Sequence, residues 1–373
     1  MSSIWRRWES KSFWREHAKI LKKSRSGKER KMQKGQFTEK EILTQTEAWV
    51  GALNEVTRKT KEFSDIHWND YRQVIFTGCG STYYLSLAAA SLFQSLTGVI
   101  TKAVPAGEIY MIPESVYTGH DNLLFAISRS ASTSETVLAA RQFKQAKGGK
   151  IISVSNYDDQ PLTELSDLPF CVLEGQEKSV AQTRSFSSMY VVMTALAMIA
   201  AGKKDLLNDM QRLPEIGMGL IKKYQTFASE TGKHLDYDRI YFLGSGHRYG
   251  LACEANLKMK EMALTHTEPF HFLEFRHGPK SMVNDHTFVF GLLSDSQRSM
   301  EEKVLYEMRE IGARVISLAE KDADISFESG LQEEIRNILY LPILQLTAYY
   351  RSIAKGLDPD NPKNLTSVIY LDN

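Results

Sequence analysis

Two short segments constrain the fold more than anything else in this chain: IFTGCGST at Ile75–Thr82 and YFLGSGHR at Tyr241–Arg248. Each is an apolar run that ends in Gly-x-Gly and leads into a helical pattern. That is the signature of the first strand-to-helix turn of an α/β unit, with glycine supplying the turn. Around the first copy, apolar runs at Gln73–Thr77, Ile100–Val104, Leu123–Ser128, Lys150–Ser155 and Pro169–Leu173 alternate with helical patterns. A long apolar helix from Ser185 to Ala201 and a polar helical connection to about His234 follow. The alternation then restarts with Arg239–Leu243, Thr287–Leu293, Arg314–Leu318 and Ile338–Pro342. A helix at Ile343–Lys355 and the extended tail GLDPDNPKNLTSVIYLDN close the chain. Strands alternating with helices mean βαβ connections and parallel sheets, and the two halves read as copies of one unit.

The length of 373 residues suits two domains. The expected boundaries are an unstructured basic arm at 1–36, a first domain with a helical lead-in at 37–205, a helical linker at 206–236 and a second domain with the tail at 237–373. In the lead-in, FTEKEILTQTEAWVGALNEVTRKTKEF reads as two helices, with Thr38 as an N-cap and Glu41 three residues on. A net charge of +1 gives no reason to expect a nucleic-acid partner, and no helix-turn-helix pattern is present. Cys79, Cys171 and Cys253 lie far apart without CxxC spacing, which indicates neither disulfides nor a zinc site. The longest apolar run, Met189–Ala201, is too short to span a bilayer. A soluble cytoplasmic protein is expected. The arm carries Trp5, Trp8 and Trp14 among many Lys and Arg residues. It reads either as a membrane-surface segment or as sequence outside the fold, with Met32 as the true start; the second is the expectation.

Three polar segments follow predicted strands. In the first glycine turn, Gly78 and Gly80 flank Cys79, and Ser81 and Thr82 open the next helix, where free N–H groups and hydroxyls suit an anion. An ordinary βα turn would need the same glycines. The loop SRSASTSE, Ser128–Glu135, carries five hydroxyls and Arg129, and as the sequel of another strand it belongs at the same sheet edge. A third turn, Val180–Arg184, precedes the long helix and contains Gln182. In the second half, CEANLKMKEMALTHTEPFHFLEFRHGPK places Glu254, Lys258 and Glu261 at i, i+4 and i+7, on one helix face. Such Glu–Lys pairs commonly line a solvated surface. Cys253, Leu257, Met262 and Leu264 make this segment apolar enough to bury part of it, where a carboxylate could serve as a base near neutral pH. His277 follows in a turn. His266 and His271 lack a metal-ligand spacing.

GCGST, the RSxxSxE form of the serine loop, the E-x3-K-x2-E helix and FRHGPKS together resemble the double-SIS sugar-phosphate isomerases. These include the isomerase half of glutamine:fructose-6-phosphate amidotransferase and the tagatose-6-phosphate isomerase and galactosamine-6-phosphate deaminase group. The resemblance runs from about Phe37 to the C-terminus. It implies two tandem SIS domains, each a flavodoxin-like three-layer αβα sandwich with a mainly parallel sheet. It implies a phosphate site at Gly80, Ser81, Thr82, Ser128, Ser130 and Ser132 or Thr133, with Arg129 as a further candidate. Cys79, Val180 and Gln182 fall at other substrate-contact positions. Glu261 would carry the proton between C1 and C2 beside Glu254 and Lys258, and His277 would open the sugar ring in a neighbouring subunit, hence a homodimer or larger.

The chain departs from the family twice. The amidotransferase tail has a lysine after Asn-Leu, where this chain reads Asn364-Leu365-Thr366-Ser367, and Ala131 stands where glycine is common. The sequence also lacks a glutaminase domain and its N-terminal cysteine. The expected function is an aldose/ketose isomerase or isomerising deaminase of a sugar or amino-sugar 6-phosphate, without metal or organic cofactor. A fructosamine-6-phosphate deglycase and a non-catalytic sugar-phosphate sensor are the alternatives.

Overall fold

The alternation of apolar runs and helical patterns resolves into two five-stranded sheets of the same topology. The computed structural model describes residues 34–117, 121–146, 149–369 and 371. The arm up to residue 33, with its three tryptophans and Met32, lies outside the described residues. Helices α1 (Gln36–Leu43) and α2 (Gln45–Ser64) lead into β1 (Gln73–Gly78), α3 (Ser81–Thr97) and β2 (Thr101–Pro105). Then come β3 (Asn122–Ile127), α4 (Ser134–Gln145), β4 (Ile151–Ser155) and β5 (Leu168–Cys171). Helices α5 (Arg184–Ala200) and α6 (Leu213–Lys233) cross to the second half. There β6 (Arg239–Gly244), α7 (His247–Ala263), β7 (His266–Phe270), β8 (Thr287–Leu292), α8 (Arg298–Glu310), β9 (Arg314–Ala319), β10 (Ile325–Ser326) and α9 (Leu341–Ala354) follow.

Strand order is β2-β1-β3-β4-β5 in the first sheet and β10-β9-β8-β6-β7 in the second. Numbered within its own half, the second order read backwards is again 2-1-3-4-5, the flavodoxin-like arrangement. Every pairing is parallel. Central strands β3, β4 and β8 are buried at every residue, as parallel strands covered on both faces must be. The duplication extends to side chains: Phe76 stacks on Phe125 at 4.7 Å, and Phe242 on Phe290 at 5.2 Å.

One apolar core joins the halves, running from Trp49 and Phe63 through Phe76 and Phe186 to Phe242, Phe290 and Tyr340. Helix α5 is mostly apolar and buried along nearly its whole length inside it. Smaller clusters around Phe143 and around Phe275 cover the outer faces of the two sheets. At the centre, α3 and α7 touch backbone to backbone. A Cβ on Gly250 would lie 2.5 Å from both Ala88 N and Tyr84 O. Gly250→Ala is therefore expected to cost about 1–3 kcal/mol by overpacking. A thermal melt equal to that of the wild type would show that the helices can separate freely.

Three expectations change. Thr38 is not an N-cap. It lies inside α1, where its N–H and hydroxyl both donate to Asp360 of the tail, at 2.7 and 2.8 Å, and Phe37 N donates to the same carboxylate at 3.1 Å. Glu41 meanwhile accepts Lys178 N at 2.6 Å and the Ser179 hydroxyl at 2.5 Å. The apolar run Ile338–Pro342 is no strand but a 3-10 turn, Asn337–Tyr340, running into α9. Finally, β7 and β10 were not foreseen. Lys34 and Gly35, which precede Phe37, bond to Gly356 O and Asp358.

Candidate active site

The close contact of α3 with α7 sets the site. Each helix follows a Gly-x-Gly turn in the same backbone conformation: Gly80 has φ 55° and ψ −122°, Gly246 φ 59° and ψ −134°. Positive φ makes glycine the natural residue there, and a Cβ on Gly80 would meet nothing within 4 Å, so the turn borders open space. Ser81 opens α3, and Lys258 of α7 donates to its hydroxyl at 3.0 Å. The same ammonium lies 2.5 Å from Glu261 Oε2 and 3.3 Å from Glu254 Oε1. A loop of the first half and a helix of the second thus meet on one buried lysine.

Burial separates the roles of the three ionisable groups. The side chains of Glu254 and Lys258 are 0 % and 1 % exposed, whereas Glu261 keeps 18 %. Only Glu261 of the three can reach a ligand without rearrangement. Burial pushes the Glu254 carboxyl up to about 8, more than the neighbouring Lys258 charge pulls it down, and Glu261 adds to the rise. Neither Glu254 oxygen has a hydrogen bond of good geometry among the described residues. Burial also works against the Lys258 ammonium, but the carboxylates of Glu254 and Glu261 outweigh it, so its pKa lies above the ordinary value. Burial thus favours the neutral form of Glu254, and Glu261 is the reachable carboxyl group of the cluster. Tyr84, which the sequence did not single out, borders them. Burial raises its phenol pKa, and Cys253, Glu254, Tyr83 and Glu261 add to the effect.

The serine loop occupies the other side of the crevice between β1 and β3, the point where strand order reverses. Ser128 is buried, and its hydroxyl lies 3.5 Å from Thr133 Oγ1; Ser130 Oγ is 3.4 Å from the same atom and accepts Ser132 N at 3.2 Å. Ala131 takes φ 52°, so the loop makes the left-handed turn natural to glycine despite the substitution. Thr82 closes its own turn: its hydroxyl donates to Cys79 O and accepts Cys79 N, both at 2.9 Å. The Cys79 thiol, 3.5 Å from Thr136 Oγ1, is pushed up to about 11 by burial, which makes it a poor nucleophile. Arg129 does not share its guanidinium with the hydroxyls beside it. It donates to Val180 O and Ser367 O, each at 2.8 Å. Gln182 Oε1 is a buried acceptor without a partner among the described residues. His277 is exposed, and among the described residues no hydrogen bond or ion pair joins its side chain to Glu254, Lys258 or Glu261.

The equivalent crevice of the second half is closed. Leu293 N donates to Leu318 O at 2.9 Å as Ser128 N does to Val154 O at 3.1 Å, so a leucine stands where the first half has Ser128. His247 and Arg248 replace Ser81 and Thr82. Arg248 pairs with Glu333, and Glu301 and Glu333 accept Ser294 N and Asp295 N at 2.6 and 3.0 Å. The protein's own carboxylates thus fill that loop. Helices α3 and α7 have equal length, and α3 carries Ala88, Leu92 and Ser95 where α7 has Glu254, Lys258 and Glu261. Among the described residues, the ionisable helix face therefore comes from the second half and the open glycine turn with its hydroxyls from the first, joined by the Lys258–Ser81 contact.

The SIS domain profile matches residues 69–199 and 235–344, the two segments that hold the sheets. A glutamine–fructose-6-phosphate aminotransferase (isomerizing) of Sulfurisphaera tokodaii is 32% identical over 306 residues, covering 80% of this chain and 50% of that protein. The chain thus spans about half the length of the curated relatives it matches. Glucosamine-6-phosphate deaminase from Thermotoga maritima superposes with a TM-score of 0.74 at 26% identity, over 90% of this chain and 99% of that one. Tagatose-6-phosphate ketose/aldose isomerase from Escherichia coli shares the fold at a TM-score of 0.77 and 24% identity, over 89% and 96%. Two matched segments, two sheets of one topology and one pair of glycine turns agree: the chain belongs to the SIS-domain family.

Proposed function

We propose that this chain is a sugar-phosphate aldose/ketose isomerase or isomerising deaminase acting on a sugar or amino-sugar 6-phosphate. One observation carries the reading: a single buried ammonium bridges the hydroxyl of Ser81, at a helix start suited to phosphate, and the carboxylate of Glu261. Binding and proton transfer are thereby held at a fixed separation. The names of the relatives point to the same class of chemistry.

In this reading the phosphate takes hydrogen bonds from Ser81, Ser128, Ser130 and Ser132 or Thr133, placing C1 and C2 of the open chain beside Glu261. Glu261 removes the C2 proton, exchanges it with solvent through its partly exposed side chain, and delivers a proton to C1, one carboxylate serving both positions in turn. The buried Lys258 ammonium, 2.5 Å from Glu261, supplies positive potential behind the carboxylate, near the oxygen or nitrogen that gains negative charge in the enediol or enolamine. For an amino sugar, the shift leaves an imine at C2, and water adding there releases ammonia and the ketose phosphate. Gln182 Oε1 is available to a sugar hydroxyl. Incubation with glucosamine 6-phosphate and galactosamine 6-phosphate, followed by assay of ammonia and of the ketose phosphate, tests the assignment. Failure to convert these or any aldose or ketose 6-phosphate would leave the deglycase and sensor readings.

His277 is placed in this scheme as the ring-opening group of a neighbouring copy's site, consistent with its exposure and its lack of contact with Glu261 in its own chain. Mixing inactive Glu261→Gln and His277→Asn subunits is then expected to restore part of the activity, since one hybrid site would hold both native groups. No recovery after demonstrated subunit exchange would return His277 to its own chain's site or remove it from the chemistry.

A further inference from the structure

Arg129 stands between Ser128 and Ser130, yet its bonds lead away from the serine loop to two distant parts of the chain. Its side chain is only 8 % exposed, and Nη1 lies 3.6 Å from Glu177 Oε2. Nη1 donates to Val180 O at 2.8 Å and reaches Ser179 O at 3.4 Å, while Nη2 donates to Ser367 O at 2.8 Å. Glu177 is fixed in turn by Thr183, whose N–H and hydroxyl both donate to it at 2.7 Å. The tail runs on along the same loop: Ser134 N donates to Ile369 O at 3.3 Å, and Leu371 N to Ser134 Oγ at 3.1 Å. Thr366, Ser367 and Ile369 are exposed. Among the described residues beyond Leu365, most therefore have little burial of their own, and the polar bonds above hold them to the loop. A guanidinium, with donors forking in one plane, can hold two carbonyls from separate segments at once, which an ammonium on a flexible stem does less well.

We propose that Arg129 is a positioning residue that fastens the C-terminal tail and the 177–184 segment to the serine loop, fixing the loop in its ligand-binding shape. The part that concerns ligand binding rests on the proposed function; the fastening itself does not. Arg129→Gln is expected to speed hydrogen exchange in the Asp360–Leu371 segment by about tenfold or more, with helix α7 unchanged. KM for the sugar 6-phosphate should rise about tenfold while kcat stays within about twofold, the pattern of a lost ground-state contact. Arg129→Lys keeps a cation beside Glu177 but loses the fork, and should fall between the two. It also serves as the test if Arg129→Gln does not fold. A chain ended after Leu365 should reproduce part of the KM change, because only the Ser367 contact is lost, and combining it with Arg129→Gln should give less than the product of the two effects. Unchanged tail exchange in a folded Arg129 variant, or KM effects that multiply in the combined variant, would overturn the proposal. If no sugar phosphate is turned over, the exchange measurement still decides the fastening, and only the functional reading falls.

Discussion

Glu261→Gln is expected to lower kcat by ~10²–10⁴, the range for removal of a general base, while affinity for the sugar phosphate stays nearly unchanged. The substitution keeps the side chain's length and an oxygen that can accept from Lys258, now 2.5 Å from the carboxylate. What it removes is the ability to take a proton from carbon. Because Glu261 is the partly exposed member of the cluster, its loss should leave the fold intact. A kcat within about tenfold of the wild type would point to another base. A matching collapse of binding would mean that Glu261 holds the ligand instead of reacting with it.

Glu254 should contribute strongly to how stability varies with pH. Its carboxyl is raised from 4.5 to about 8 because burial disfavours the charge more than Lys258 favours it. A carboxyl raised on folding keeps a proton that the unfolded chain releases. Its favourable effect is complete below about pH 4.5 and is lost as pH climbs to about 8. The loss from this one group is on the order of 4 kcal/mol. Glu254→Gln cannot ionise, so its stability relative to the wild type should improve steadily across that interval. Denaturant unfolding of both proteins at about pH 5 and about pH 8.5 measures the change. Parallel stability curves would show Glu254 to be ionised throughout, held by Lys258.

The parallel sheets were legible because their central strands are buried on both faces and so read as unbroken apolar runs between turn residues. The same property misled at Ile338–Pro342. A helix buried on all sides is also an unbroken apolar run, and periodicity cannot separate the two. Strand β7, His266–Phe270, was hidden by Pro269; at the sheet's edge its missing N–H costs little. Thr38 looked like a helix cap because local pattern favours one. The carboxylate that serves α1 instead comes from Asp360 near the other end of the chain, beyond any local rule. In the site, helical spacing alone put Glu254, Lys258 and Glu261 on one face. The contact of Lys258 with Ser81 depends on Gly250 letting α3 and α7 touch, which is a fact of packing. Arg129 read as an anion ligand because a cation among hydroxyls suggests one. Its carbonyl partners lie about 50 and 238 residues away. One available signal went unread: laid over each other, α3 and α7 show Ala88, Leu92 and Ser95 opposite the three ionisable residues, so the second half alone could supply the chemistry.

In the proposed mechanism the hydroxyl loops of the first half and Glu261 of the second form one proton-transfer site. Exchange of substrate C–H in heavy water tests it most directly. Protein in D2O is given aldose and ketose 6-phosphates, and the C1 and C2 hydrogens are followed by NMR. The account predicts deuterium at these carbons with the wild type, little with Glu261→Gln, and little when the sugar lacks its phosphate. Exchange that survives in Glu261→Gln, or that proceeds equally well on unphosphorylated sugar, would contradict it.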